Sequence, residues 1–235
     1  MTIQDFFSIN TVFFSVLGYP MSYIEFFGTI FNIACVWLVA KNKVSNWPVG
    51  IVGIVLYIFL FYQIRLYSDL FEQIYFLIMS FVGWYIWVNP KRKAAKDTKE
   101  AVPVTKNSRK ENIVYVLLIA VGSVLLGYFV SKAHVLFPVA FPEAASFPYL
   151  DAFTTVMSFA ATILMAKKRL ECWYLWILVD IIGIGLYFAK GVKFISLEYV
   201  LFLVLAINGL LQWRKIDTAQ SNSKEKEVTY EQDVA

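Results

Sequence analysis

The chain has 235 residues, of which 59% are hydrophobic and 16% charged, and its mean hydropathy is +0.62; a soluble domain is about a quarter charged. That balance excludes a soluble globular domain and marks a membrane protein. The net charge of +4 is explained below by membrane topology and implies no nucleic-acid partner.

Residues 1–21 come first, with the aromatic run IQDFFSINTVFFSVLGY. They have neither a basic start nor a small-residue cleavage site, so they do not read as a signal peptide; they are expected to lie at the membrane interface or to form a half-buried lid. A bilayer core takes about 20 mostly apolar residues per spanning helix. Runs of that kind fall at 22–40, 47–63 and 69–88. After a basic loop at 89–111 they resume at 112–130, 149–166, 172–189 and 195–213. The polar tail, 215–235, lacks apolar periodicity and is expected to be disordered.

Basic residues are retained on the cytoplasmic side. Of the 21 Lys and Arg, 17 lie in one alternating set of loops: Lys41 and Lys43, the loop at 89–111, Lys167 to Arg169, and the tail. The other set holds only Arg65, Lys132, Lys190 and Lys193. The expected orientation is therefore N-terminus outside and C-terminus cytoplasmic, in the cell membrane. Cys35 and Cys172 are expected as free thiols. His134 stands alone in a loop, with no companions for a metal site.

The chain also repeats itself. An offset of 126 residues pairs Phe27 with Phe153, Thr29 with Thr155, Ala40-Lys41 with Ala166-Lys167, Trp47 with Trp173, Glu72 with Glu198, Gly83 with Gly209 and Trp87 with Trp213, without a gap. The expected fold is an all-α membrane protein of seven transmembrane helices: a three-helix repeat at 22–88, a linker helix at 112–130 and a second three-helix repeat at 149–214. Four spans separate the starts of the two repeats, so they run parallel. Parallel repeats with a substrate held between them are a transporter plan, and a seven-helix receptor has no reason to adopt it.

The strings SNWPVGIVG, LYSDLFEQIYF, GWYIW, CWYLWILVD and SLEYVLFLVLAINGLLQW resemble the PnuC family of bacterial vitamin transporters across nearly the whole of both repeats. The resemblance implies a 3+1+3 fold similar to the SWEET sugar transporters and import of nicotinamide riboside, a vitamin B3 form and NAD precursor. It implies facilitated diffusion, with a separate intracellular nicotinamide riboside kinase trapping the substrate. It also makes a homotrimer a candidate assembly. Asparagine stands in several relatives where this chain has Gly53, Ser80 and Asp180, so the substrate is less fixed than the fold. Thiamine, riboflavin and deoxynucleosides stay open as substrates. Proton coupling through Asp180, a SWEET-type sugar carrier and a receptor are the further alternatives.

Helical spacing places Trp173, Trp176, Asp180, Gly183 and Tyr187 on one stripe. A charge near the middle of a span costs about 2.5 to 3.5 kcal/mol on insertion scales, so Asp180 is expected to face an interior cavity. No Lys or Arg occupies a span interior, which leaves a neutral donor, water, a proton or the substrate as its partner. The pyridinium of nicotinamide riboside suits a carboxylate among aromatic faces. The matching stripe of the first repeat is Trp47, Gly50, Ile54, Tyr57 and Phe61, and Trp47 and Tyr57 complete the aromatic wall. By resemblance, Gln73 and Asn208 hold the riboside or amide portion. Glu72 and Glu198, matched between repeats, are expected to brace neighbouring helices. The chain has no phosphate loop, no HExxH and no serine with a candidate base, so neither an enzyme nor a cofactor is expected.

Overall fold

The computed structural model describes residues 2–16, 18–64, 67–89, 102–138, 144–191 and 193–234. In chain order the elements are α1 (Ile3–Phe7), β1 (Val12–Val16), β2 (Tyr19–Ser22), α2 (Tyr23–Ala40), α3 (Asn46–Gln63), α4 (Tyr67–Val88), α5 (Arg109–Leu136), α6 (Pro148–Ala166), α7 (Glu171–Ala189) and α8 (Lys193–Val234). The seven from α2 to α8 are long and apolar enough to cross a membrane. Their ends fall close to the spans read from the sequence, except in α5 and α8.

Helix α5 begins at Arg109 because Ser108 and Glu111 form a reciprocal capping box there. Helix α8 does not stop near Arg214. It continues to Val234, in place of the disordered tail expected at 215–235. A helix already nucleated by a membrane span extends at little cost. Ser221 and Ser223 donate to carbonyls four residues back, at 2.9 and 3.0 Å, and Lys106 meets Asp217 at 2.7 Å.

The described residues of the segment at 1–21 are more structured than an interfacial strip. Thr2 and Asp5 cap α1 reciprocally, and β1 pairs antiparallel with β2 through a turn in which Gly18 takes φ +84°, a conformation glycine adopts freely. Gln63 fastens this segment to α3: its amide donates to Phe7 O at 2.7 Å and accepts from Ile9 N at 3.2 Å.

Helix α3 packs between α2 and α4, and α7 between α6 and α8. The two groups meet through α2 against α8 and α4 against α6, while α5 lies on α6. Val116, Leu117, Val121, Val124 and Leu125 of α5 are all more than half exposed, the surface that lipid hydrocarbon covers.

At the end of the bundle away from the hairpin, contacts recur at the 126-residue offset. Asn42 closes α2 with φ 55° and Lys168 closes α6 with φ 52°. Lys43 N donates to Leu38 O at 3.0 Å, as Arg169 N does to Leu164 O at 2.8 Å, so both helices end in a Schellman motif. The Trp47 ring lies against Gly83, and the Trp173 ring against Gly209. Trp87 and Trp213 cross to the opposite group, donating to Ala166 O at 3.1 Å and Val39 O at 3.0 Å.

Residues 102–107 of the expected basic loop dock beside these tryptophans. Thr105 N donates to Lys168 O at 3.0 Å, Leu170 N donates to Thr105 O at 2.9 Å, and Val104 is buried among the rings. The run KRKAAKDTK lies outside the described residues. Lys168 is 2% exposed, with Nζ 4.1 Å from the centroid of the Trp87 ring; burial pushes its ammonium down to about 8.

Candidate functional site

Between the two helix groups lies a cavity of about 440 Å³, within the range of small-molecule sites. Helix α7 supplies one wall. Trp173, Trp176, Asp180 and Tyr187 all line the cavity, as their 3.6-residue spacing requires once one of them faces it. Gly183, on the same stripe, is covered instead by the Tyr199 ring, which an added Cβ would meet at 2.5 Å. Helix α3 supplies the facing wall with Trp47, Gly50, Ile54, Tyr57 and Phe61, and α4 adds Gln73.

Seven of the eight residues assigned to the site from sequence therefore share one cavity: Trp47, Tyr57, Gln73, Trp173, Trp176, Asp180 and Tyr187. Asn208 does not. It is exposed on the outer face of α8, and its side chain accepts from Gln212 one turn on. The position before Gly209 must point away, because Gly209 itself is turned inward against Trp173.

The electrostatics are one-sided. Glu25, Asp69, Glu72, Asp180 and Glu198 line the cavity, and no Lys, Arg or His does so among the described residues. Two of these carboxylates are held by tyrosines from the opposite helix group. Tyr57 donates to Glu198 at 2.7 Å and shares a 2.8 Å bond with Thr29. Tyr187 donates to Asp69 at 2.8 Å, near the Lys190–Asp151 ion pair at 2.6 Å. Asp180 differs from them. It is 3% exposed and receives no hydrogen bond from any described residue, yet it opens to the cavity beside Trp176. A buried carboxylate in that state is completed by a ligand, water or a proton.

Sequence reasoning missed several wall residues. Glu198 braces α3 as expected but also faces the cavity, and so does Glu72. Asp69, the first residue of the span at 69–88, lines the cavity too. Asn32 and Ser158, at matching positions of α2 and α6, line the cavity as well. The available signal for Asn32 was the same as for Asp180: a polar residue in the middle of an apolar run.

The hairpin end of the cavity is bordered by Ile9, Tyr19, Pro20 and Ser22. Tyr19 stacks on Phe194 at 5.3 Å with the rings 3° from parallel, and its hydroxyl donates to Glu25 at 2.6 Å. Among the described residues no group of three or more His, Cys, Asp or Glu could hold a metal ion, and Cys35 and Cys172 are free thiols.

Residues 22–215 match the family model described as nicotinamide mononucleotide transporter. The nicotinamide riboside transporter PnuC of Escherichia coli strain K12 is 30% identical over 89% of this chain and 94% of its own. The riboflavin/roseoflavin transporter RibM of Streptomyces davaonensis is 27% identical over 87% of this chain and 91% of its own. A crystal structure of the vitamin B3 transporter PnuC superposes with a TM-score of 0.65 at 25% identity, covering 84% of this chain and 83% of that one.

Proposed function

This chain belongs to the nicotinamide mononucleotide transporter family, the PnuC vitamin transporters, and on that premise we propose that it imports nicotinamide riboside by facilitated diffusion. It is a multi-pass membrane protein, and its small-molecule cargo is a vitamin. The observation that carries the substrate is the cavity wall: five carboxylates, no basic side chain among the described residues, and among the five the deeply buried Asp180, which receives no hydrogen bond from any described residue. A fixed pyridinium cation supplies that partner, and a cation over Trp176 gains about 0.5 to 2 kcal/mol. The ribose hydroxyls suit Gln73 and the tyrosine-bound carboxylates.

Ties between the two helix groups at both ends of the cavity support alternating access. The Tyr57–Glu198 and Tyr187–Asp69 bonds tie the two helix groups on the hairpin side; the Trp87 and Trp213 bonds tie them at the opposite end. Rocking of one three-helix unit against the other breaks one set while keeping the other. The Lys and Arg bias supports a cytoplasmic tryptophan end and an external hairpin end, with the hairpin as a lid over the outer mouth. Passive exchange alone does not accumulate substrate, so a cytoplasmic nicotinamide riboside kinase is the partner that would make accumulation possible.

The test is calorimetric titration of detergent-purified protein with nicotinamide riboside, thiamine and riboflavin, followed by flux into proteoliposomes with no energy source. Saturable binding and flux of nicotinamide riboside are expected. Binding of riboflavin alone, in line with the likeness to RibM, would reassign the vitamin, and flux only under a pH gradient would replace facilitated diffusion by proton coupling.

A further inference from the structure

The cavity wall contains one amide whose placement depends on a missing side chain. Asn32 of α2 lines the cavity and is only partly buried. Opposite it on α3 stands Gly53, which is buried. A Cβ built on Gly53 would strike Asn32 Oδ1 and come within 3.1 Å of its Cγ and 3.2 Å of its backbone nitrogen. The glycine therefore serves as a berth that lets the amide oxygen sit against α3. At the matching positions of the other helix group the arrangement is reversed in size. Ser158 stands in place of Asn32 and Val179 in place of Gly53, both buried. Bulk moves from the first helix to the second, and the amide exists on one side only.

Of the cavity's carboxylates, Glu25, Asp69 and Glu72 stand on the group that carries the amide, and Asp180 and Glu198 on the other. Asp180 on α7 has Ile54 as its counterpart on α3, so the unpartnered charge sits on the group that lacks the amide. The cavity thus offers a ligand a carboxylate at Asp180 that no described residue hydrogen-bonds and, on the other group, an amide at Asn32 that can both donate and accept.

We propose that Asn32, held in its berth by Gly53, is a specificity-determining residue that reads an aromatic carboxamide on the transported cation. This rests on the functional reading above and goes further, because it gives one amide of the wall a partner on the ligand and states which ligand that amide rejects. An amide facing an amide satisfies one donor and one acceptor on each side. A ligand lacking the carboxamide leaves the Asn32 groups unpaired, which is how a polar site discriminates.

The experiment is calorimetric titration of the full-length protein, wild type, Asn32→Ala and Gly53→Ala, with nicotinamide riboside and with N-ribosylpyridinium, the same cation without its carboxamide. Wild type is expected to prefer nicotinamide riboside by about tenfold, the worth of one satisfied polar pair. Both substitutions are expected to abolish the preference by weakening nicotinamide riboside alone, Asn32→Ala by removing the amide and Gly53→Ala by pushing it off its berth. Equal weakening of both ligands, or no weakening of either, overturns the role of Asn32. Gly53→Ala binding as wild type while Asn32→Ala loses the preference overturns the berth. Wild-type protein that binds neither ligand overturns the functional reading together with this one, whereas tight but undiscriminating wild-type binding overturns this one only.

Discussion

Helices α2 to α4 and helices α6 to α8 are alike at one end of the cavity and unlike at its middle. At the tryptophan end the same contacts recur 126 residues apart: a ring on a glycine, a left-handed residue closing a helix, an indole reaching a carbonyl of the opposite group. In the cavity wall the matches dissolve. Asp180 has Ile54 as its counterpart, Trp176 has Gly50, and Asn32 has Ser158. Packing poses the same problem to both groups at that end, whereas the proposed ligand, being asymmetric, would present a different face to each in the middle.

The largest effect expected from breaking this pattern is at Asp180. Asp180→Asn keeps the shape and removes the charge, leaving a cationic ligand without its nearest counter-ion; affinity for nicotinamide riboside should fall by about thirtyfold or more. Ile54→Ala, at the counterpart position, should change it far less, because the Ile54 side chain offers only apolar contact. Titration of both variants decides the matter, and equal losses would mean that Asp180 serves packing rather than the ligand.

The next effect tests the likeness instead of the difference. Gly83→Ala and Gly209→Ala each drive a methyl into an indole ring packed on the helix backbone, an overpacking that costs about 1–3 kcal/mol. Thermal unfolding in detergent should fall by similar amounts for the two. A large loss at one and none at the other would show that only one of the two contacts bears load.

Much of this was legible in the sequence because hydropathy and scarce residues report on it directly. The spans follow from runs of apolar residues, and the tryptophan–glycine contacts lie at positions the 126-residue offset had already paired. Seven of the eight chosen site residues share the cavity, since one helical face is fixed once Asp180 must avoid lipid. Three things were not legible. Asn208 was carried over by resemblance, and the inward turn of Gly209 sends it outward. The hairpin at Val12–Ser22 is apolar on both faces, so alternation gave no strand signal. The extension of α8 to Val234 depends on a helix that begins in the membrane, which the tail's own composition does not reveal.

A smaller contrast separates the two tyrosine ties. Tyr57 serves two partners, Glu198 and Thr29, whereas Tyr187 serves Asp69 alone. Tyr57→Phe should therefore destabilise more than Tyr187→Phe. Each unpaired buried acceptor costs about 1–3 kcal/mol, and Asp69 keeps an ion pair, Lys190 with Asp151, close by. Unfolding midpoints in that order support the cross-group ties as structural bonds; the reverse order would place more load on Tyr187 than its single bond explains.

The smallest effect sits where the likeness is closest in backbone and fails in side chain. Asn42 and Lys168 close their helices in the same left-handed conformation, which asparagine tolerates better than lysine. Lys168 is also buried over Trp87, so its ammonium is pushed down from 10.5 to about 8 in the folded protein. Between those values the unfolded chain holds the proton more often than the folded one does, and stability rises with pH in that window. Wild-type protein should thus gain a few degrees in unfolding midpoint between pH 8 and 10.5 relative to Lys168→Asn, which carries the counterpart residue and has no proton to lose. Comparing the two cancels every other group that titrates there. Parallel curves would mean that Lys168 keeps water contact enough to hold its ordinary charge, and that the two helix ends differ in sequence without differing in energy.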